Sequence, residues 1–434
     1  MPSPFAAGTG AEAGPHQRKL IGLMMSLFFA FGFCTVLVDT LIPKLKAMFQ
    51  LSYAEVMLTQ FCFFLAYFIV SVPAGWLLTR IGYLRGVTLG LLVMALGCLL
   101  FTPAALLGTY PGFLLALFIL ASGVTTVQVA ANPMTASLGD PVRSHSRLTL
   151  AQAFNSVATM VGPIFGSALI LKGGLTAPDP ATLSVAALAA ARRHEAHAVQ
   201  APFLGIALAL LALAGLCWAV RRWAPEARAQ PLGASLRLLR NPRLSLGAVS
   251  IFAYVGAEVS IGSTIANYLM SPSVLGAQAQ VAGSMVSIYW GLAMVGRFIG
   301  VGVLRRARPG LVLTCCAIGA GSLAAISGLS AGVAAAAAIL AVGLFNSIMF
   351  PTIFTLAIED LGEETPQGSG ILCLAIVGGA VVPLATGFAA DHVGLSLAMF
   401  VPVVCYAWVA AYGWLAASGL RGAPAAASLS EALS

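Results

Sequence analysis

Several side chains that could do chemistry stand inside stretches that are otherwise apolar. Gln128 and Asn132 lie four apart in TTVQVAANPMTAS, and Gln152, Asn155, Ser156 and Thr159 follow one another at spacings of three, one and three in RLTLAQAFNSVAT. On a helix each set makes a polar stripe along one face. Of fourteen acids, Asp39 and Glu258 fall within apolar runs, and Arg297 is the one base placed similarly. Placing a charge at the centre of a membrane helix costs roughly 2.5–3.5 kcal/mol, so such residues are functional candidates by default. A carboxyl there can take up a proton or hold a cation. The blander readings are amides that hydrogen-bond neighbouring helices together and an ion pair between Glu258 and Arg297.

Depth sharpens the first set. Between the two amide stripes runs a short loop carrying Asp140, Arg143 and Arg147. At a rise of about 1.5 Å per residue, Gln128 lies roughly 15 Å from the loop edge near Leu138. Asn155 lies roughly 14 Å from the edge near Ser146. The hydrocarbon layer is about 30 Å thick, so both amides reach its midplane from the same side. Four amides on adjacent helices, two of them at the midplane, favour a polar cavity over simple helix glue. Glu258 stands at similar depth in IFAYVGAEVSIGSTIANYL, with Tyr254 one turn before it and Gly262 one turn after, where the glycine can leave space beside the carboxyl. Asp39 lies further out, in FCTVLVDTLIP.

The elements that must carry these residues follow from composition. The chain has 434 residues, 59% hydrophobic and 8% charged, whereas a soluble domain carries roughly 25% charged residues. Apolar runs of spanning length recur throughout, at roughly 20–43, 56–79, 86–106, 112–137, 147–171, 201–221, 245–270, 281–304, 310–329, 333–358, 368–390 and 395–418. The expected fold is therefore an all-α polytopic membrane protein of twelve transmembrane helices, with no signal peptide ahead of the first. Sixteen of the 22 Lys and Arg residues fall in segments on the side of the termini, five fall on the other side, and Arg297 is inside a span. The positive-inside rule puts both termini in the cytoplasm. A net charge of +8 placed in alternate loops does not indicate nucleic acid as a partner; the lipid bilayer is one. No metal site is expected, because the eight cysteines lie in apolar runs and the histidines of ARRHEAHA, in the external loop 173–200, lack partners at ligand spacing. That loop reads as an external surface helix or a floppy segment.

The longest cytoplasmic loop divides six spans from six. The expected organisation is an N-terminal six-helix bundle at 1–222, a linker at 223–243 and a C-terminal six-helix bundle at 244–434, with a substrate path between the halves. Internal echoes support a repeat: Gly75-x4-Arg80 after span 2 against Gly300-x4-Arg305 after span 8, and Pro133 and Pro163 against Pro351 and Pro383.

QVAANP, LGD and SRLTLAQAFNS, at Gln128–Pro133 and Arg147–Ser156 and the loop between them, resemble the fucose:proton symporter family of the major facilitator superfamily, most of all its glucose/galactose branch. The family's helix-4 pattern is a polar residue followed by x-A-A-N-P, and its helix-5 pattern is R-L-x-L-x-Q-x-x-N-S. The resemblance implies the twelve-helix, two-half fold and a proton-coupling role for the helix-1 acid, which maps onto Asp39. Three departures stand out. The fucose-type Glu before x-A-A-N-P is Gln128, which cannot titrate. The helix-1 Asp is preceded by Val38 where the family usually has Asn. In PAGWLLTRIGYLRG the usual acid before Arg80 is Thr79. The reading moves away from fucose, and leaves proton and sodium both open as the coupling ion.

A sugar is a ring of hydroxyls with one apolar face, so its site needs groups that donate and accept, beside an aromatic plane. Gln128, Asn132, Gln152, Asn155, Glu258 and Asn267 supply the first, and Tyr254, Tyr289, Trp290 and Phe154 the second. Asp39 and Glu258 are the candidate ion-coupling residues; Arg80 and Arg297 are the candidate gates. The expected function is ion-coupled symport of a hexose into the cell by a monomer in a plasma membrane, the bacterial inner membrane, with no cofactor beyond the ion. The alternatives are a sodium-coupled or uniport sugar carrier and a drug or lipid exporter on the same fold, whose cavity would be apolar. A sugar sensor would usually append a soluble domain, for which the stretch after Arg421 is too short. ATP does not drive it, for no G-x-x-x-x-G-K-[ST] loop occurs, and no H-E-x-x-H or G-x-S-x-G motif suggests an enzyme.

Overall fold

The computed structural model describes residues 15–49, 53–107, 109–169, 185–224 and 237–419. They are helical almost throughout: α1 Pro15–Phe49, α2 Tyr53–Ile81, α3 Tyr83–Leu107, α4 Tyr110–Ser137, α5 Ser144–Leu169, α6 Val185–Ala219, α7 Pro242–Met270, α8 Ala279–Val303, α9 Pro309–Leu329, α10 Gly332–Asn346, α11 Met349–Ile358, α12 Thr365–Leu374, α13 Gly378–Val393, α14 Leu395–Ala398 and α15 Phe400–Ala417. Eleven segments are long and apolar enough to cross a membrane among the described residues. α5 makes the twelfth, its apolar run diluted by Arg147, Gln152, Asn155, Ser156 and Thr159.

Local chemistry sets the ends. Asn241 accepts from the Arg243 amide at 3.0 Å and Pro242 takes the first position of α7, a cap followed by the one turn where a missing N–H costs nothing. Between α2 and α3 the turn is a single residue, Gly82, at φ +82°, with its N–H on the Leu78 carbonyl at 2.8 Å; that left-handed conformation closes a helix and suits glycine. Three departures from the sequence reading appear. The tenth span is two helices, α10 and α11, because Pro351 has no N–H for the Ser347 carbonyl one turn back and its ring crowds that carbonyl. The eleventh is likewise α12 and α13, joined by a 3-10 turn at Ala375–Val377 ahead of Gly378–Gly379, a weak helix-forming pair. The third lies in the segment 173–200, whose helix, one of its two expected forms, starts at Val185 and runs without a break into the sixth span; its side chains before Gln200 and the residues before Val185 lie outside the described set.

The helices form two compact units, Gly22–Ala131 with Phe154–Ala227, and Met1–Ile21 with Asn132–Ala153 and Arg228–Ser434. In the first, small residues let backbones touch: a Cβ on Gly97 would sit 2.5 Å from the Leu120 nitrogen, and one on Gly123 2.5 Å from that of Met94. This is the close approach that stabilises helix pairs where hydrophobic burial supplies no drive. Phe101 and Phe203 join α3 to α6 at 4.3 Å between centroids. In the second, Gly378 lies against the Phe252 carbonyl and Gly343 against that of Tyr289, pressing α13 onto α7 and α10 onto α8. The same unit takes in the loop that joins α4 to α5. There Arg147 donates to the carbonyls of Thr135, Ala136 and Asp140 at 3.3, 2.6 and 2.6 Å. One guanidinium so closes the orphan end of α4 and holds the LGD turn, whose Gly139 has φ +87°.

Candidate functional site

The two amides expected at the midplane belong to the first unit. Gln128 of α4 is half-buried, and its Nε2 donates to the Tyr67 hydroxyl of α2 at 2.6 Å. The Tyr67 ring is held by Phe63 at 5.6 Å. Asn155 of α5, also half-buried, donates through Nδ2 to the Phe28 carbonyl of α1 at 3.1 Å. It comes this close because Gly32, one turn along α1, has no side chain; a Cβ there would lie 2.9 Å from Asn155 Cγ and closer still to Nδ2.

The second unit holds a network around Glu258. The single O–H of Tyr254 is shared between Glu258 Oε1 at 2.7 Å and the Asn346 carbonyl at 3.1 Å. Asn346 Nδ2 donates to the Tyr289 hydroxyl at 2.8 Å. Arg297 Nε donates to the Ser347 carbonyl at 3.1 Å, and its Nη1 reaches the Gln152 carbonyl at 3.4 Å. Asn346 and Ser347 are the residues at the α10–α11 break. The proline that interrupts the helix therefore exposes backbone oxygens, and Tyr254 and Arg297 are the donors that satisfy them. Arg297 is also near enough for its charge to act on Glu258, though the direct hydrogen bond to the carboxyl comes from Tyr254. Broken helices at membrane depth occur where protein or a polar cavity satisfies the freed backbone.

The remaining sequence candidates separate. Gln152 is buried in the second unit beside Arg297. Asn132 is fully buried, its amide beside the Cys373 thiol of α12. Asn267 is exposed and, nine residues on from Glu258, faces the opposite side of α7, so it does not join that network. Tyr289 is wholly buried as framework, while Trp290 meets it edge-on at 5.1 Å and stays partly exposed. The room expected beside Glu258 at Gly262 is taken by the Trp290 indole, 3.2 Å from where a Cβ would be. Phe154 is exposed. Arg80 sits exposed at the end of α2, stacked 4.3 Å over Trp76. Asp39 belongs to α1, but its side chain lies outside the described residues.

Sequence reasoning missed a charged cluster. His145, buried at the start of α5, meets Thr355 Oγ1 through Nδ1 at 2.5 Å and Glu359 Oε1 through Nε2 at 3.1 Å. Arg243 pairs with Glu359, and through Nη1 with Asp360 Oδ2 at 3.1 Å. Asp360 adopts φ +65°, a conformation uncommon outside glycine that Asp and Asn tolerate best. Ser146 donates to the Val301 carbonyl at 2.9 Å and faces Arg305 Nε at 3.3 Å. The one signal in the sequence was the acid pair Glu359–Asp360 closing an apolar run. Among the described residues no three His, Cys, Asp or Glu side chains gather as a metal site.

The Major Facilitator Superfamily model matches residues 23–382. The chain is 50% identical over 387 residues to a glucose/galactose transporter of Brucella abortus (strain 9-941), covering 88% of this chain and 90% of that one. To the L-fucose-proton symporter of Escherichia coli (strain K12) it is 33% identical over 408 residues, covering 91% and 93%. A crystal structure of the E. coli fucose:proton symporter FucP, in a single-substitution form, superposes with a TM-score of 0.84 at 31% identity, covering 92% of this chain and 99% of that one. The amide stripes, the broken helices and these matches along nearly the whole length agree: the chain belongs to the Major Facilitator Superfamily and, within it, to the fucose:proton symporter family, on its glucose/galactose branch.

Proposed function

We propose that this protein carries a hexose of the glucose/galactose type into the cell by alternating access, driven by a co-transported ion, the proton first. The single observation that carries the reading is Glu258. Its carboxyl is set within a membrane span, held by Tyr254 at 2.7 Å next to backbone exposed by a helix break. Transporters of this build place substrate and coupling-ion groups at such discontinuous helices. The half-buried amides Gln128 and Asn155 add polar groups at the depth expected of a sugar site, and Asp39 on α1 is the second coupling acid. The names of the relatives, a glucose/galactose transporter and an L-fucose-proton symporter, favour this chemistry over a drug or lipid exporter, and a transporter over an enzyme. The arrangement that goes with it is a monomer of two bundles, 1–222 and 244–434, in a bacterial inner membrane, both termini cytoplasmic.

The test is uptake by purified protein in proteoliposomes, with a panel of labelled sugars under separate proton and sodium gradients. Accumulation of glucose or galactose that a proton gradient drives and a protonophore stops is expected. Accumulation driven by sodium alone would reassign the ion. Failure of any hexose to enter would overturn the sugar reading.

A further inference from the structure

Which way an amide faces decides what it can ask of a ligand. Its nitrogen only donates and its oxygen only accepts. Asn155 meets the Phe28 carbonyl, which can only accept, so the nitrogen must face α1 and Oδ1 must face away. Gln128 places its nitrogen on the Tyr67 hydroxyl, so Oε1 points away; because a hydroxyl donates as well as accepts, this is the orientation the structure shows and not one the partner alone dictates. Neither carbonyl oxygen takes a hydrogen bond from a described side chain or backbone group, and neither is among the buried atoms without a partner. Both residues are half-buried, so these oxygens remain open to a ligand. Two features hold these side chains in place. Tyr67 is itself buried and packed on Phe63, and Gly32 leaves room for the Asn155 amide to reach α1: a Cβ there would run into it.

We propose that Tyr67 and Gly32 are positioning residues that turn the Gln128 and Asn155 amides carbonyl-outward, so that this part of the molecule accepts hydrogen bonds and selects ligand hydroxyls that donate them. The inference rests on the sugar reading above and specifies its chemistry: at two positions the ligand must carry a free O–H. A hydroxyl replaced there by fluorine or a methyl ether retains an acceptor but loses the donor and is rejected. A site built around a hydrogen bond discriminates strongly against the analogue that lacks it, because its own polar group is left unpaired.

The experiment is a competition series on the full-length protein in proteoliposomes, using D-glucose, D-galactose, and their monodeoxy and monodeoxyfluoro analogues at each position. In the wild type, two positions are expected where the fluoro analogue is as poor as the deoxy analogue, each roughly tenfold or more weaker than the parent sugar. In Tyr67→Phe the Gln128 nitrogen has lost its acceptor and the amide can turn. At one of the two positions the fluoro analogue should then improve over the deoxy analogue by about threefold or more, within the range of one hydrogen bond. Gly32→Ala should do the same at the other position by displacing Asn155. Analogues altered elsewhere on the ring report whether either variant is still folded, and a general loss of fold would depress all of them together. Fluoro analogues that match the parent sugar at every position in the wild type would overturn the assigned polarity. An analogue pattern left unchanged by Tyr67→Phe would overturn its positioning role. Absence of any hexose binding in the wild type would instead bring down the sugar reading and, with it, this inference.

Discussion

His145 and Glu359 lie 214 residues apart in the chain and meet at 3.1 Å, Nε2 to Oε1, inside one compact unit. Glu359 also pairs with Arg243, so one carboxylate joins the start of α5 to the start of α7 at the end of α11. Networks of this kind are worth more than single deletions suggest, since each member orients the next. His145→Ala and Glu359→Gln should each lower the thermal unfolding midpoint, and the double variant should cost less than the two effects added. A coupling of about 1 kcal/mol is expected for residues that share a network, kept small because Glu359 is over a third exposed. Strict additivity in that double-mutant cycle would show that the two residues act independently.

Pro351 predicts a separation of stability from turnover. Pro351→Ala restores an N–H that can take the Ser347 carbonyl, the oxygen Arg297 now holds at 3.1 Å. The α10–α11 joint should straighten, with stability unchanged or raised, since proline inside a helix costs about 3 kcal/mol. Transport turnover should fall at least fivefold, on the order of 1 kcal/mol of barrier, while equilibrium binding of sugar changes less. Full turnover in a straightened variant would mean that the break has no part in the cycle.

The two acids separate by assay. Asp39→Asn should abolish uphill accumulation yet leave counterflow exchange, which needs no net movement of the ion. Glu258→Gln keeps an oxygen for the Tyr254 hydroxyl but loses the charge, so accumulation should fall and sugar affinity should weaken as well, by about tenfold for one charge-assisted hydrogen bond. Normal accumulation by Asp39→Asn would move coupling to Glu258 alone. If both variants accumulate normally, neither acid couples the ion; a wild type that exchanges sugar but never accumulates it would be a uniporter.

Substrate preference follows from Gln128. With an amide where the fucose-type carriers have a titratable acid, glucose, galactose or an N-acetyl hexosamine should compete for uptake better than L-fucose. A competition series in which L-fucose is the strongest inhibitor would refute this.

The sequence by itself determined where the helices run. The cost of an unpaired polar group in hydrocarbon is local, so a stretch of spanning length must be apolar whatever its neighbours are. The same locality let Gln128, Asn155 and Glu258 stand out, because a polar side chain at midplane depth needs a reason that its own position reveals. Pro351 was visible too, but its effect was not, since a proline in a membrane helix bends or breaks it according to what can satisfy the freed carbonyl. Only the tertiary structure decided that Arg297 and Tyr254 supply those donors. It also decided that Gly262 seats Trp290 rather than leaving space beside Glu258, and that Asn267 faces away from that network. His145, Arg243 and Glu359 read in the sequence as residues near helix ends, where charges are ordinarily solvated. Their partnership depends on the rotation and crossing of helices more than a hundred residues apart. Such contacts are set by how small residues such as Gly343 and Gly378 let backbones close on one another, which spacing along a single helix does not encode.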